Sequence, residues 1–182
     1  YKYGAGVYMT GAQTTFKMNK GKITENQMDK SWRDRDDNTY NEYGAGIGIY
    51  SDSGSKLYIG NGAALQKEVE VSKNTGYIAW GVGIYADGAV FEVKQATISK
   101  NYLEWTYNPI TNSRGIGMYV GSSMTFTMED SIVDGNYVDQ AYHDVKIDGI
   151  GIYISTEQNN QITNCKIQNN TLYGEHINTI LK

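Results

Sequence analysis

The chain of 182 residues has one proline, Pro109, and one cysteine, Cys165. A single thiol excludes an intrachain disulfide, so cysteine pairing reveals neither compartment nor fold. Basic runs are also missing: 16 Lys and Arg stand against 20 Asp and Glu, with no cluster of cations. Phosphate backbones are bound by clustered Lys and Arg, so this balance argues against nucleic acid as a partner. No apolar stretch approaches the ~20 residues that cross a bilayer as a helix, so no membrane span is expected. His143 and His176 fall at unrelated places and suggest neither a zinc set nor a catalytic dyad. The chain opens Tyr1-Lys2-Tyr3 with no initiating Met and no signal peptide, which reads as a mature or excerpted portion of a longer extracellular protein.

What is abundant is Gly, with 21 residues, and Tyr, with 16. Tyr, Thr, Ile and Val suit strands better than helices. The glycines are ordered. Gly4-Ala5-Gly6-Val7-Tyr8 returns as Gly46-Ile47-Gly48-Ile49-Tyr50, Gly81-Val82-Gly83-Ile84-Tyr85, Gly115-Ile116-Gly117-Met118-Tyr119 and Gly149-Ile150-Gly151-Ile152-Tyr153. The starts lie 42, 35, 34 and 34 residues apart. A fixed period of this size is the signature of stacked units, each unable to bury its apolar face alone. The glycines are not a dinucleotide fingerprint, because no helix pattern follows them.

Each unit reads as three short strands. In the fourth, Gly115-Ile116-Gly117-Met118-Tyr119-Val120 alternates, which predicts Ile116, Met118 and Val120 on one face with Gly117 and Tyr119 on the other. Thr125-Phe126-Thr127-Met128 alternates again, and Ile132-Val133 precedes Asn136. The third strand keeps an apolar residue three positions before Asn in all units: Ile23 and Asn26, Val71 and Asn74, Ile98 and Asn101, Val133 and Asn136, Ile167 and Asn170. Such an Asn suits a left-handed bend, and five stacked amides would form a hydrogen-bonded ladder. The expected fold is therefore all-β: a single domain, 1–182, built as a parallel-stacked solenoid of about five coils with three short strands each.

With these repeats the chain resembles the right-handed parallel β-helices of the pectate-lyase-like superfamily, in particular surface and adhesin types such as polymorphic outer-membrane and autotransporter passenger repeats. The third-strand motif here is Ile/Val-x-x-Asn where those passengers use Phe-x-x-Asn. Members of the superfamily include lyases, hydrolases, adhesins and tailspikes, so the resemblance bears on fold more than on activity.

For chemistry, the repeat offers a column of Tyr8, Tyr50, Tyr85, Tyr119 and Tyr153, beside which Gly columns are expected. Trp32, Trp80, Trp105 and Tyr107 fall in the connections between the Asn corner and the next Gly motif, together with Tyr102 and Tyr137. These rings either pack as a secondary core or offer an aromatic track to a glycan or a partner. The ring-bearing residues expected to make contacts are Trp32, Tyr50, Trp80, Tyr85, Trp105, Tyr107 and Tyr119. Asp52 and Asp87 sit two residues after their Tyr in adjacent coils; stacked carboxylates repel unless hydrogen bonds or a cation compensate. They are common turn residues too, and no metal, cofactor or catalytic residue is assigned. Cys165 matches Gly21, Val69, Ala96 and Ser131 in the other units and reads as a small core residue.

The sequence thus leads to an expected extracellular or cell-surface module that is structural or adhesive rather than catalytic. It would contact glycans, partners or its own copies, with end-to-end growth into fibres as one form. The alternative is a polysaccharide lyase or glycoside hydrolase of the pectate-lyase-like type. Ile177, Ile180 and Leu181 are the only candidates for a lid on the final coil.

Overall fold

Coil three shows how one repeat is wound. Its strands are Ala79–Trp80, Ile84–Asp87, Val90–Lys94, Thr97–Ser99 and Tyr102–Glu104, and each belongs to a different sheet, here called A to E in that order. Every strand pairs in parallel with its counterpart one coil away. Tyr85 lies opposite Tyr50 and Tyr119, Phe91 opposite Leu57 and Phe126, and Ile98 opposite Val71 and Val133. Sheets A to D run through five coils and sheet E through four, with Gln27 adding a bridge to Thr75. The computed structural model describes residues 2–28, 44–61, 68–76, 79–104, 113–139 and 147–173, and contains no helix among them.

The fold is a right-handed parallel β-helix, the hand being the one that parallel crossovers almost always take. Sheets B, C and D are the three strands legible in the repeat. Sheets A and E are additions, made of strands only two or three residues long. A two-residue strand has no periodicity to read, so the sequence pattern cannot disclose it.

The alternation expected through Gly-x-Gly does not hold, because this segment is a corner and not a strand. Gly81 has φ +57°, and a Cβ there would lie 2.2 Å from the carbonyl oxygen of Ile84. The chain turns sharply at this point, and sheet B begins only at Ile84, or at Met118 in coil four. Ladder bonding continues around the bend: Gly83 N–H donates to Ile116 O and Ile84 N–H to Gly117 O, at 2.9 and 3.0 Å.

This corner divides the interior. The main core holds Ile84, Phe91, Val93, Ile98, Met118, Phe126 and their equivalents, filled from sheets B, C and D. A second, smaller core holds Ile47, Val82, Leu103, Ile116 and Val138. Ile116 and Met118, expected on one face of one strand, thus serve different cores. The second glycine of each motif marks the boundary. It faces inward against the Asn column, not outward beside Tyr as expected: a Cβ on Gly83 would sit 2.6 Å from Nδ2 of Asn101 and 2.5 Å from Gly117 O.

The Asn column forms the expected ladder. Nδ2 of Asn26, Asn74, Asn101 and Asn136 each donates to Oδ1 of the next Asn, at 2.8, 2.8, 2.9 and 2.9 Å. The backbone N–H of the same four residues donates to the same oxygens. The left-handed residue, however, is the one before each Asn: Glu25, Lys73, Lys100, Gly135 and Asn169 all have φ between 53° and 62°. That residue makes the bend, which leaves the Asn free to point inward.

A left-handed residue with a Cβ costs about 1–2 kcal/mol relative to glycine. Lys100→Gly, copying what coil four has at Gly135, is therefore expected to stabilise the protein by about 1 kcal/mol. Urea denaturation checks this, and Gly135→Lys should cost a similar amount.

Candidate functional site: an aromatic column beside two carboxylates

The bend at Gly-x-Gly brings the outer faces of sheets A and B together. On sheet B the outward residue two positions after the second glycine is Tyr in all five coils, and parallel register stacks the rings. Tyr8–Tyr50, Tyr50–Tyr85, Tyr85–Tyr119 and Tyr119–Tyr153 have centroids 5.2, 5.0, 4.8 and 5.5 Å apart, with interplanar angles of 5°, 4°, 2° and 15°. On sheet A, Trp80 and Arg114 point into the same corner. Trp80 stacks on Tyr119 at 5.5 Å. The Arg114 guanidinium lies over both Tyr153, at 4.9 Å, and Trp80, at 5.7 Å, a cation–π arrangement. Its Nε stands 3.5 Å from the Asp148 carboxylate.

Exposure separates these rings. Tyr50 and Tyr119 are only 5% and 7% exposed, whereas Tyr8 is 54% exposed and Tyr85, Tyr153 and Trp80 are half-buried. Of the rings expected to make contacts, Tyr85 and Trp80 are partly exposed, while Tyr50 and Tyr119 are buried. Trp32, Trp105 and Tyr107 lie outside the described residues, as do His143, His176, Ile177, Ile180 and Leu181. Trp80, Tyr102 and Tyr137, placed by sequence in long connections, lie on short strands of sheets A and E. Tyr102 stacks on Tyr137 at 4.5 Å, and Tyr137 meets Tyr173 edge-on at 6.1 Å. Strands of three residues carry no readable period, so the sequence marks this second outward aromatic column only by the recurrence of Tyr102 and Tyr137 one residue after the ladder Asn.

Asp52 and Asp87 are in register on sheet B, as their spacing implied. The Asp52 carboxylate accepts from the Tyr50 hydroxyl at 2.5 Å and from Thr10 Oγ1 at 2.8 Å. Burial alone would push its pKa up, but hydrogen bonds from Tyr50, Ser53 and Thr10 outweigh that and hold it below the ordinary value. Asp87 accepts from the Tyr85 hydroxyl at 3.5 Å, and its carboxylate lies over Gly121, where a Cβ would strike it. Burial first, and the Asp87 charge second, raise the pKa of both Tyr85 and Tyr119. The hydroxyls thus supply the compensation that two stacked carboxylates require. Among the described residues no three His, Cys, Asp or Glu side chains are grouped to hold a metal. Cys165 packs against the main core and its Sγ donates to Thr163 O at 3.1 Å, in keeping with a small core residue.

These directions set a pH dependence at both ends. A carboxyl with a lowered folded pKa contributes stability above its ordinary value, and that contribution is lost as pH falls through the folded value. Asp52 belongs here, as does Glu70, lowered by hydrogen bonds from Lys22 and Ser72. Stability should decline below about pH 4, and Asp52→Asn should flatten that decline. For Tyr85 and Tyr119 the folded pKa is raised, so their contribution is full below about pH 10 and falls away above it. Phenolate absorbance at 295 nm should therefore show a late-titrating class that Tyr85→Phe diminishes.

Compared with known protein families, with curated proteins and with solved structures, the chain has no match in any of the three.

Proposed function

We propose that this chain is a non-catalytic structural or adhesive module of the extracellular space or cell surface, making its contacts through aromatic columns on a stiff β-helix. The observation that carries this reading is the Tyr column with Trp80 and Arg114 set against it. The stacked rings cover one another's faces and present their edges and hydroxyls in a row, and these hydroxyls with the flanking Asp and Arg groups match the hydroxyls and carboxylates of successive sugar rings. Tyr8, Tyr85, Tyr153 and Trp80 would carry that contact, and the masking of Tyr50 and Tyr119 keeps the column rigid. Asp52 has a lowered pKa and is held by hydroxyl donors, which suits a fixed hydrogen-bond acceptor better than a proton donor. End-to-end contact between copies is the closest variant of this role. No helix among the described residues is long and apolar enough to cross a membrane.

The second reading is a polysaccharide lyase or glycoside hydrolase, favoured by the in-register pair Asp52 and Asp87. Adjacent parallel strands place such residues about 5 Å apart, near the separation of a retaining carboxylate pair. A panel of acidic and neutral glycans, assayed for retention and for cleavage with and without Ca²⁺, separates the two readings. Retention without cleavage, reduced by Trp80→Ala or Tyr85→Ala, is the expected result. Cleavage abolished by Asp52→Asn or Asp87→Asn would overturn it.

A further inference from the structure

The Tyr column is also a path for electrons. Its phenols lie face to face with centroids 4.8 to 5.5 Å apart, and Trp80 joins the stack at Tyr119, 5.5 Å away. Rings in such contact exchange an electron by short hops, so an oxidising equivalent that enters at one ring is shared with its neighbours. Trp80 and Tyr85 are partly exposed and give an oxidant in solvent two places to enter. Tyr50 and Tyr119 are buried, which shields a radical on either ring from solvent.

The rings are not equivalent. Arg114 lies over Tyr153 and Trp80, at 4.9 and 5.7 Å, whereas carboxylates stand beside Tyr85 and Tyr50. A missing electron is a positive charge, so Arg114 repels it and Asp87 and Asp52 draw it towards coils three and two. Asp148, 3.5 Å from Arg114 Nε, offsets part of that repulsion, so the proton acceptor is what decides. A phenol that loses an electron becomes a strong acid, and the radical lasts only where a base in hydrogen-bond contact takes the proton. The Tyr50 hydroxyl donates to Asp52 Oδ2 at 2.5 Å, while Tyr85 reaches Asp87 at 3.5 Å, the outer limit of such a bond. Thr10 donates to the other Asp52 oxygen at 2.8 Å and fixes the carboxylate in place. The lowered pKa of Asp52 keeps it ionised at neutral pH and able to accept, and the raised pKa of Tyr85 and Tyr119 keeps both as neutral phenols.

We infer that the Tyr column is a one-electron oxidation site, in which an equivalent taken up at Trp80 or Tyr85 settles as a neutral phenoxyl radical on Tyr50 with its proton on Asp52. The reagent class is a one-electron oxidant such as a peroxyl radical. It gains an electron from Trp80 or Tyr85 and leaves as the peroxide anion, which takes a proton from water. The lost electron is replaced by hopping from Tyr50, whose O–H bond breaks as the proton crosses to Asp52 Oδ2. The Tyr50–Asp52 pair thereby loses its net negative charge, which balances the electron removed. A one-electron reductant reverses the step, returning the electron to Tyr50 while Asp52 gives the proton back. This activity goes beyond the glycan contact and does not require it.

Flash photolysis of the full chain tests this, with a ruthenium polypyridyl sensitiser and a sacrificial electron acceptor as the oxidant. Transient absorption and electron paramagnetic resonance read the product. The parent should give a neutral tyrosyl radical. Tyr50→Phe keeps the stacked ring without its hydroxyl, and Asp52→Asn keeps the shape without the charge. Each should shorten the radical's lifetime about tenfold or more, the effect of losing a hydrogen bond to a charged group. Tyr85→Phe interrupts the hopping path and should lower the yield while leaving the lifetime unchanged. Circular dichroism checks that the strand signal is kept, and either Tyr50→Phe or Asp52→Asn suffices if the other loses it. A parent that forms no tyrosyl radical overturns the inference. So does a radical of equal yield and lifetime in Tyr50→Phe and Asp52→Asn, or one lost only in Tyr85→Phe, which would place it on Tyr85.

Discussion

Asn101→Leu is expected to remove on the order of 4 kcal/mol or more of stability, enough to unfold much of the protein under mild conditions. Asn101 is fully buried, and all four of its side-chain hydrogen-bonding capacities are used. Oδ1 accepts from the backbone N–H and Nδ2 of Asn74, and Nδ2 donates to Asn136 Oδ1 and to Val71 O. A leucine of similar volume fills the space but abandons two donors of Asn74 and the carbonyl of Val71. Each buried group left without a partner costs about 1–3 kcal/mol. Asn101→Asp keeps the acceptor but places a charge beside the oxygens of Asn136 and Val71, so it should be at least as damaging. Position along the stack provides the control. Asn26, in coil one, is only half-buried, and among the described residues nothing donates to its Oδ1, so Asn26→Ser should cost about 1 kcal/mol. Urea unfolding of the three variants checks the gradient, and equal losses at Asn26 and Asn101 would contradict the ladder as the source.

Gly83→Ala should be the other severe change, although it adds one methyl group. The φ of Gly83 is not in the left-handed region, so the demand for glycine here is spatial. The new carbon would approach Gly117 O to 2.5 Å and Asn101 Nδ2 to 2.6 Å. The first atom is backbone of the neighbouring coil and the second is fixed by two hydrogen bonds, so neither yields cheaply. Overpacking of this kind costs about 1–3 kcal/mol, and forcing the ladder apart adds to it. A loss of about 3 kcal/mol or more is expected, with coils three and four separating first. Because Gly83 and Asn101 touch, combining Gly83→Ala with Asn101→Ser should cost less than the sum of the two, and thermal unfolding of the double-mutant cycle measures the difference. Gly88→Ala is not a neutral comparison, since its added carbon would lie 2.3 Å from Ser55 O, and neither is Gly11→Ala, since Gly11 has φ +97° and strains any side chain even though the space around it is open.

Much of this architecture was legible because stacking repeats its demands once per coil. Five copies of Ile/Val-x-x-Asn implied a column before any coordinates, and the column is a ladder. The weaker match at Val71 follows the same logic, for it pairs with Ile23 and Ile98 as the template requires. Cys165 takes the inward place of Ala96 and Ser131 but is only half-buried in the last coil, since position within a repeat stands in for position in space but not for what covers it. The Tyr–Asp pairing was half visible: the two-residue spacing showed the neighbours, but not that the hydroxyls hold the carboxylates.

The chain's own residues determined the winding, the inward columns and the stacking of like on like, because period-two alternation and a recurrent spacing need no information beyond the sequence. Only the tertiary structure decided that Gly-x-Gly is a corner, that it splits the interior into two cores, and that Trp80 and Arg114 from one sheet close over the Tyr column of another. Spacing reports what lies above and below a residue in the stack. What lies across a bend depends on backbone angles at a few glycines, and those angles leave no periodic trace.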